Sequence, residues 1–353
     1  MSFSGDGFFV KALESVLQAR PILLGIGIGA LFGCYQLLKS GLGLFKLSPL
    51  RLRGSLLARS DNSKIYHQVE QLASRLGAQA PDNIVVGLEP NFFVTSSAVE
   101  LIGEKSGILE GKTLFISLSL MRILGIDELI AVIGHELGHF RGLDTEYSLK
   151  FAPVYSRLSS ALKAMSSNDE GASALATLPA AVVLGVCLTE FATAERTVGR
   201  ERELLADRAG AEAASATALA SALVKVSLYS GQWSALTQKH IDILAEGNYF
   251  ENLAGTYRAA CESLFDGVDW QEAQASMLRF VQPHPIDTHP PLAQRLQSLG
   301  VALVTIEPGT GKPSPEPSIS LLSGTEEIEK YLTNLEIQWL VAIGAVVIPK
   351  LAK

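Results

Sequence analysis

The segment from Asp127 to Gly142 contains two histidines, His135 and His139, within an apolar and periodic stretch. Its apolar residues recur at helical spacing, Asp127 is a suitable N-cap, and Gly142 is placed to end the helix. Because residues i and i+4 of a helix project from one face, both imidazoles can bind one metal ion. The fold must therefore accommodate a metal-binding helix, which restricts it more than any other pattern in the sequence.

Glu136 stands between the two histidines, where its carboxylate can reach a water molecule on the same ion. A catalytic zinc lowers the pKa of such a water to about 7, and a carboxylate can then act as general base. In a chain with six histidines, chance would produce His-Glu-x-x-His in on the order of one chain in a hundred. The pattern therefore predicts a zinc site with Glu136 as a catalytic residue.

A catalytic zinc needs a third protein ligand and an open fourth position. Glu203 is a candidate, because Asp207 follows one helical turn later and could accept the second ring N–H of a zinc-binding histidine. On spacing alone the alternatives are Glu195, Glu201 and Glu212.

These motifs resemble the HtpX-like and CAAX prenyl endopeptidase group of zinc peptidases, which are gluzincins of metallopeptidase family forty-eight. That family has a second motif, Ser-Arg-x-x-Glu-x-x-Ala-Asp. It is matched at Arg200, Glu203, Ala206 and Asp207, with Gly199 in place of the serine. The resemblance covers roughly residues 60–300 and implies one zinc ion per chain with Glu203 as its third ligand.

Asn91-Phe92-Phe93 resembles the Asn-Ala-Phe turn that precedes an edge strand in the family. The resemblance implies that Asn91 binds the backbone of the substrate. Phe92 replaces a small residue, which leaves the width of the adjacent substrate groove open.

Residues 288–295 resemble the family's late Thr-His-Pro-Pro-Leu-x-x-Arg segment. The resemblance implies that His289 and Arg295 are catalytic and face the tetrahedral oxyanion, where a donor or cation is a usual companion of zinc. His284 is an alternative, but the spacing to Arg295 favours His289.

The periodicity predicts an α+β fold that is mostly helical. Apolar residues at helical spacing predict a helix over 63–77, and β-branched runs at 84–88, 91–96 and 113–118 predict a small sheet. From Asp127 onward nearly everything is predicted to be helical. The resemblance implies a zincin-type peptidase domain.

An uncharged apolar run at 22–38 reaches the lower limit of a spanning helix, about 17 residues, and predicts an N-terminal transmembrane anchor. Five basic residues follow the run against two before it, which places the following domain in the cytoplasm. As an alternative, Leu31–Cys34 resembles a lipoprotein processing site, with Cys34 as the lipidated first residue of a periplasmic protein. Gly25, Gly29 and Gly33 share one helical face and would permit self-association.

The chain therefore divides into six predicted segments. These are a lead (1–20), the anchor (21–38), a basic juxtamembrane connector (39–60), the peptidase domain (61–300), a Pro/Gly-rich linker (301–325) and an apolar C-terminal helix (326–353). A further apolar run, Ala172–Thr189, is long enough to span. However, one crossing would separate His139 from Glu203, so we expect a buried or membrane-leaning helix there.

Composition limits the partners. The formal net charge is -7, the pI is about 5.5 and no basic block is present, which argues against nucleic acid. We expect polypeptide substrates and contact with membrane lipid. The overall prediction is a membrane-associated zinc endopeptidase acting on unfolded or membrane-associated proteins. The alternatives are a catalytically idle zinc-binding chaperone or binding module and a periplasmic lipoprotein protease of the same family.

Overall fold

The structure is a computed structural model that describes residues 49–103, 108–141, 172–279 and 290–347, together with positions 159 and 162. The predicted anchor with its three glycines therefore lies outside the described residues. Across the described ranges, no helix combines the length and the apolar character needed to cross a membrane. The chain divides into two compact units, one of 1–47 with 150–192 and one of 48–149 with 193–353.

The second unit contains a four-stranded and a two-stranded sheet. Their strands are β1 (Leu50–Arg53), β2 (Ser55–Leu56), β3 (Asn83–Gly87), β4 (Phe93–Thr95), β5 (Val99–Ile102) and β6 (Thr113–Ser117). The larger sheet has the order β2-β3-β6-β4, with β3 and β6 parallel and the outer strands antiparallel to them. Strands β3, β4 and β6 were predicted by the sequence pattern, whereas β1, β2 and β5 were not.

Strands β1 and β2 occupy part of the segment that was predicted to be a basic juxtamembrane connector. β1 pairs in parallel with β5, and the arginines of this region form ion pairs inside the domain. Arg51 pairs with Glu100, and Arg53 pairs with both Glu89 and Glu336. From residue 50 onward the segment predicted to be a connector therefore contains strands, and these basic side chains are partnered by carboxylates from distant parts of the sequence.

Helices form most of the described structure, in agreement with the predicted mostly helical fold. They are α1 (Ser63–Leu76), α2 (Leu118–Met121), α3 (Ile126–Arg141), α4 (Ala172–Ala213), α5 (Ala216–Leu228), α6 (Gln232–Ala245), α7 (Leu253–Asp266), α8 (Trp270–Arg279), α9 (Leu292–Ser298) and α10 (Thr325–Ala342). Helix α1 buries Ile65, Val69 and Leu72 and ends at Gly77, whose φ of 64° is the left-handed conformation that favours glycine.

The apolar run that begins at Ala172 is the first part of the long helix α4. Its valines Val182, Val183 and Val186 are 58%, 64% and 58% exposed. These three side chains are therefore not part of a buried core, so the buried alternative does not hold for this face of the helix.

The Pro/Gly-rich segment predicted to be a linker is part of the second unit. It forms three short 3-10 helices (Leu303–Thr305, Pro308–Gly311 and Ser318–Leu321). Ser318 and Ile319 are buried. The following helix α10 also packs on the domain, and it buries Glu329 and Glu336 beside Leu332. The prolines and glycines indicate a backbone without long helices or strands. Such residues do not show whether a segment makes tertiary contacts.

Candidate metal centre

Helix α3 is held in the core by one apolar face. Leu129, Ile133, Leu137 and Phe140 are all at most 4% exposed. The helix begins at Ile126, one residue before the predicted N-cap. Because the Glu128 carboxylate accepts the backbone N–H of Gly125 at 2.7 Å, an acidic side chain stabilises this end of the helix.

Helices α3 and α4 approach each other closely because small residues line their contact. A Cβ placed on Gly134 would lie 2.2 Å from the Cβ of Ala213, and one on Gly138 would lie 3.0 Å from the Cα of Ala206. Carbon atoms pack best at about 3.5–4.0 Å, so larger side chains would push the helices apart. The close approach brings the acidic residues of α4 next to the histidines of α3.

The two helices bring together His135, His139 and Glu203. The Nε2 atom of His135 lies 3.5 Å from Glu203 Oε2, and the Nε2 atom of His139 lies 3.6 Å from Glu203 Oε1. One ligand atom from each residue lies within 4.8 Å of the other two, and the group could hold one metal ion. Two imidazole nitrogens with one carboxylate oxygen are a typical donor set for catalytic zinc.

Asp207 lies behind His135. Its Oδ1 is 3.0 Å from His135 Nδ1, so the carboxylate can accept the Nδ1–H and leave Nε2 directed at Glu203. The guanidinium of Arg295 donates to both oxygens of Asp207, from Nε at 2.9 Å and from Nη2 at 2.6 Å. Asp207 is fully buried, and this two-bond pairing compensates its charge.

These contacts also set the protonation of the centre. Burial alone lowers the pKa of His135, but hydrogen bonds with Asp207 and Glu203 outweigh burial and raise the pKa to about 9. Burial alone raises the pKa of Asp207, and its hydrogen bonds with His135 and Arg295 outweigh that effect and lower it. The carboxylate of Asp207 is therefore charged at neutral pH and can stabilise a hydrogen-bonded imidazole.

Glu136 is 9% exposed and lies on α3 between the two histidines. Its charge acts on the centre from nearby, because it raises the pKa of both His135 and Arg295. The position agrees with the sequence pattern, in which a carboxylate accompanies the pair of histidines.

The other acidic residues considered as third ligands are not seen beside His135 and His139 in the described part of the chain. Glu201 is exposed, and Glu212 is half exposed and pairs with Arg141 at 3.6 Å. The side chain of Glu195 lies outside the described residues. Of the acidic candidates with described side chains, only Glu203 lies with both histidines.

The remaining predicted site residues are distributed as follows. Asn91 is exposed in the turn before β4. Phe92 is 8% exposed and belongs to the main core cluster, so its ring fills the core. His284 and His289 lie outside the described residues. The guanidinium of Arg295 contacts Asp207, and the role at an oxyanion that the resemblance implied for it stays a prediction.

Sequence reasoning missed the small residues that set the approach of α3 and α4, and it missed the contact between Arg295 and Asp207. The first had a signal, because alanine and glycine recur through 206–213 opposite the glycines of the histidine motif. The second had none, because 88 residues separate the two partners.

Comparisons with known proteins show the family to which this chain is similar. Residues 60–302 match the model of the family described as Peptidase family M48. A Protease HtpX homolog of Archaeoglobus fulgidus is 30% identical over 263 residues, which cover 72% of each chain. One from Pyrobaculum aerophilum is 27% identical over 296 residues, which cover 80% of each chain.

A Protease HtpX homolog of Bacteroides fragilis is 33% identical over 186 residues. That match covers 48% of this chain and 54% of the relative, so the chain spans about half the length of this relative. No solved structure matches the chain.

Proposed function

Because the chain is a metalloendopeptidase of peptidase family M48, we propose that it uses one zinc ion, held by His135, His139 and Glu203, to hydrolyse peptide bonds. The substrates would be unfolded or membrane-associated polypeptides. The observation that carries the proposal is that the three ligand side chains lie together and that a buried Glu136 lies on the same helix as the two histidines. When bound there, zinc would supply Lewis acidity and lower the pKa of a water molecule.

Glu136 would act as the general base and then as the acid. Its carboxylate would accept a proton from the attacking water and deliver it to the amine of the departing peptide. Burial beside two histidines keeps this carboxylate out of bulk solvent, where a proton would be lost to water. A zinc site that only stabilised a fold would more often have four protein ligands and would need no such carboxylate.

Asp207 and Arg295 would position the ligands. Asp207 fixes His135 in the tautomer that presents Nε2, which is the common arrangement for a metal-binding histidine. Arg295 holds both oxygens of Asp207 and so fixes the direction of that acceptor. We therefore assign Arg295 to positioning, while His289 remains the candidate for the oxyanion, on the resemblance alone.

The substrate would bind as an extended strand at the edge of the larger sheet. β4 is the outer strand next to β6 and also contacts α3. Strand addition uses backbone hydrogen bonds and therefore gives loose sequence preference. Asn91, exposed just before β4, would hold the backbone of the substrate, and the inward position of Phe92 leaves this edge unobstructed by its ring.

We place the enzyme at a membrane, anchored by residues 21–38 with its peptidase domain in the cytoplasm. The support is the apolar run and its basic flank in the sequence. The rival is a periplasmic lipoprotein, for which metabolic labelling with a fatty acid would be lost on Cys34→Ser. Unchanged labelling of Cys34→Ser, or no labelling of either protein, favours the cytoplasmic form.

Casein cleavage by the detergent-purified chain tests the activity. Wild type should cleave casein, and a chelator should stop it until zinc is restored. Glu136→Gln should bind zinc stoichiometrically and show no cleavage, whereas Glu326→Gln, a matched change on an exposed residue, should keep full activity. Cleavage by Glu136→Gln would refute the assigned base. An inactive wild type with stoichiometric zinc would favour the idle binding module.

A further inference from the structure

The turn between α2 and α3 leads directly into the metal-binding helix, and its backbone carbonyls accept hydrogen bonds from residues outside the turn. Backbone carbonyls that end a helix need other donors, because they lack a partner within it. Four consecutive carbonyls here accept such hydrogen bonds. Met121 O accepts from Ser318 Oγ (3.2 Å), Arg122 O from Arg258 Nη1 (2.7 Å), Ile123 O from Ser314 N (2.9 Å) and Leu124 O from Ser318 N (2.8 Å).

The side chain of the same turn is held by helix α10. Arg122 donates from Nε and Nη2 to the two carboxylate oxygens of Glu329, at 2.8 and 2.5 Å. Glu329 is fully buried, and Asn252, the N-cap residue of α7, donates to it at 2.6 Å. Breaking a buried ion pair is costly, because the separated charges are left uncompensated. The pair therefore opposes movement of Arg122 away from Glu329.

Ser314, Ser318 and Glu329 all follow residue 302, where the match to the peptidase family ends. We propose that residues 303–342 act as a positioning segment for the metal centre, because they fix the turn from which α3 starts. This inference rests on the proposed function for the identity of the metal ion. The positioning of α3 by residues 303–342 does not depend on which ion is bound.

The geometry shows why a small movement of this turn matters. His135 lies nine residues after Ile126, the first residue of α3, which corresponds to about 14 Å along a helix at 1.5 Å per residue. A tilt of about 5° at the turn would therefore move His135 by about 1.2 Å. Metal–ligand distances tolerate deviations of only about 0.2 Å. The first turn of α3 is also held by the contact between Glu128 and Lys225, so we expect a weakened site after loss of the segment's contacts.

Glu329→Gln tests the inference, with Glu326→Gln as its matched control on the exposed side of the same helix. Zinc affinity of the full-length chain is measured by competition with a chromophoric chelator, and backbone exchange of residues 121–139 by mass spectrometry. We expect Glu329→Gln to bind zinc about tenfold more weakly and to exchange faster in this region, and the control to match wild type.

A second pair covers the case in which Glu329→Gln fails to fold. Ser318→Ala removes one buried hydrogen bond, and Ser320→Ala removes an exposed one from the same short helix. We expect Ser318→Ala alone to weaken zinc binding, by roughly threefold. Folded Glu329→Gln or Ser318→Ala protein with wild-type zinc affinity and exchange would overturn the inference. A wild type that binds no zinc would instead overturn the proposed function, while the exchange comparison would still decide the positioning role.

Discussion

Gly134→Ala should separate the metal ligands while leaving the fold largely intact. The added methyl group would lie 2.2 Å from the Cβ of Ala213 on α4. Both atoms are fixed to helix backbones, so neither can rotate away as the end of a long side chain could. The two helices must therefore move apart for the substitution to be accommodated.

The structure gives the size of this movement and of its effects. Relief to a carbon–carbon distance of about 3.5 Å requires a displacement of about 1.3 Å. This is several times the tolerance of about 0.2 Å for metal–ligand distances. Overpacking typically costs about 1–3 kcal/mol, and replacement of a helical glycine by alanine returns up to about 1 kcal/mol. We therefore expect a loss of about 0–3 kcal/mol in unfolding free energy but a zinc affinity at least tenfold weaker, because Glu203 is carried away from the histidines.

The assay combines zinc competition with urea unfolding of the full-length protein. The double variant Gly134→Ala/Ala213→Gly moves the methyl group from one helix to the other and should recover most of the affinity. Gly231→Ala serves as control, because a Cβ there has nothing within 4 Å. Wild-type zinc affinity in Gly134→Ala, or no recovery in the double variant, would refute the argument from helix spacing.

Other residues give further predictions. Asp207→Asn removes the charged acceptor of His135, and zinc titration should show affinity about 10–100-fold weaker. Lys225→Met leaves Glu128 buried without its cation, and urea unfolding should show a loss of about 3 kcal/mol. His240 is fully buried, and both its ring nitrogens lack a hydrogen-bond partner among the described residues. Burial lowers its pKa, so below the unfolded value of about 6.5 the unfolded chain binds the extra proton and stability falls. His240→Leu should remove part of the difference in unfolding free energy between pH 7.5 and 5.5, at most about 1.4 kcal/mol, and an unchanged difference would contradict this.

Local patterns predicted the parts of the fold that local interactions determine. The helix ending at Gly77 and the paired histidines of α3 follow from helical spacing, and the strands β3 and β6 follow from short β-branched apolar runs. Glu203 could be chosen from four acidic residues only through the resemblance. Its approach to the histidines depends on the packing of α3 against α4.

Contacts between distant segments could not be predicted in this way. The basic residues around Arg53 suggested a connector, because a charge in the sequence does not reveal that Glu336 will neutralise it. The prolines near Ser314 suggested a linker for a similar reason. Arg295 had a predicted catalytic role, and only the structure shows its guanidinium on Asp207.

The hydrogen bonds on the turn before α3 also limit how far this chain can be shortened from its C-terminal side. A fragment ending at 302 would lose the donors to Met121, Ile123 and Leu124, as well as the carboxylate that neutralises Arg122. Water could reach these groups in the fragment, so each lost hydrogen bond would cost a net of about 0.5–1.5 kcal/mol, and together the losses would use up a substantial part of the 5–15 kcal/mol that stabilises a typical domain. A relative without such a segment must supply these hydrogen-bond donors from another part of its chain. In a chimera of two relatives, the turn and the segment should therefore be taken from the same parent.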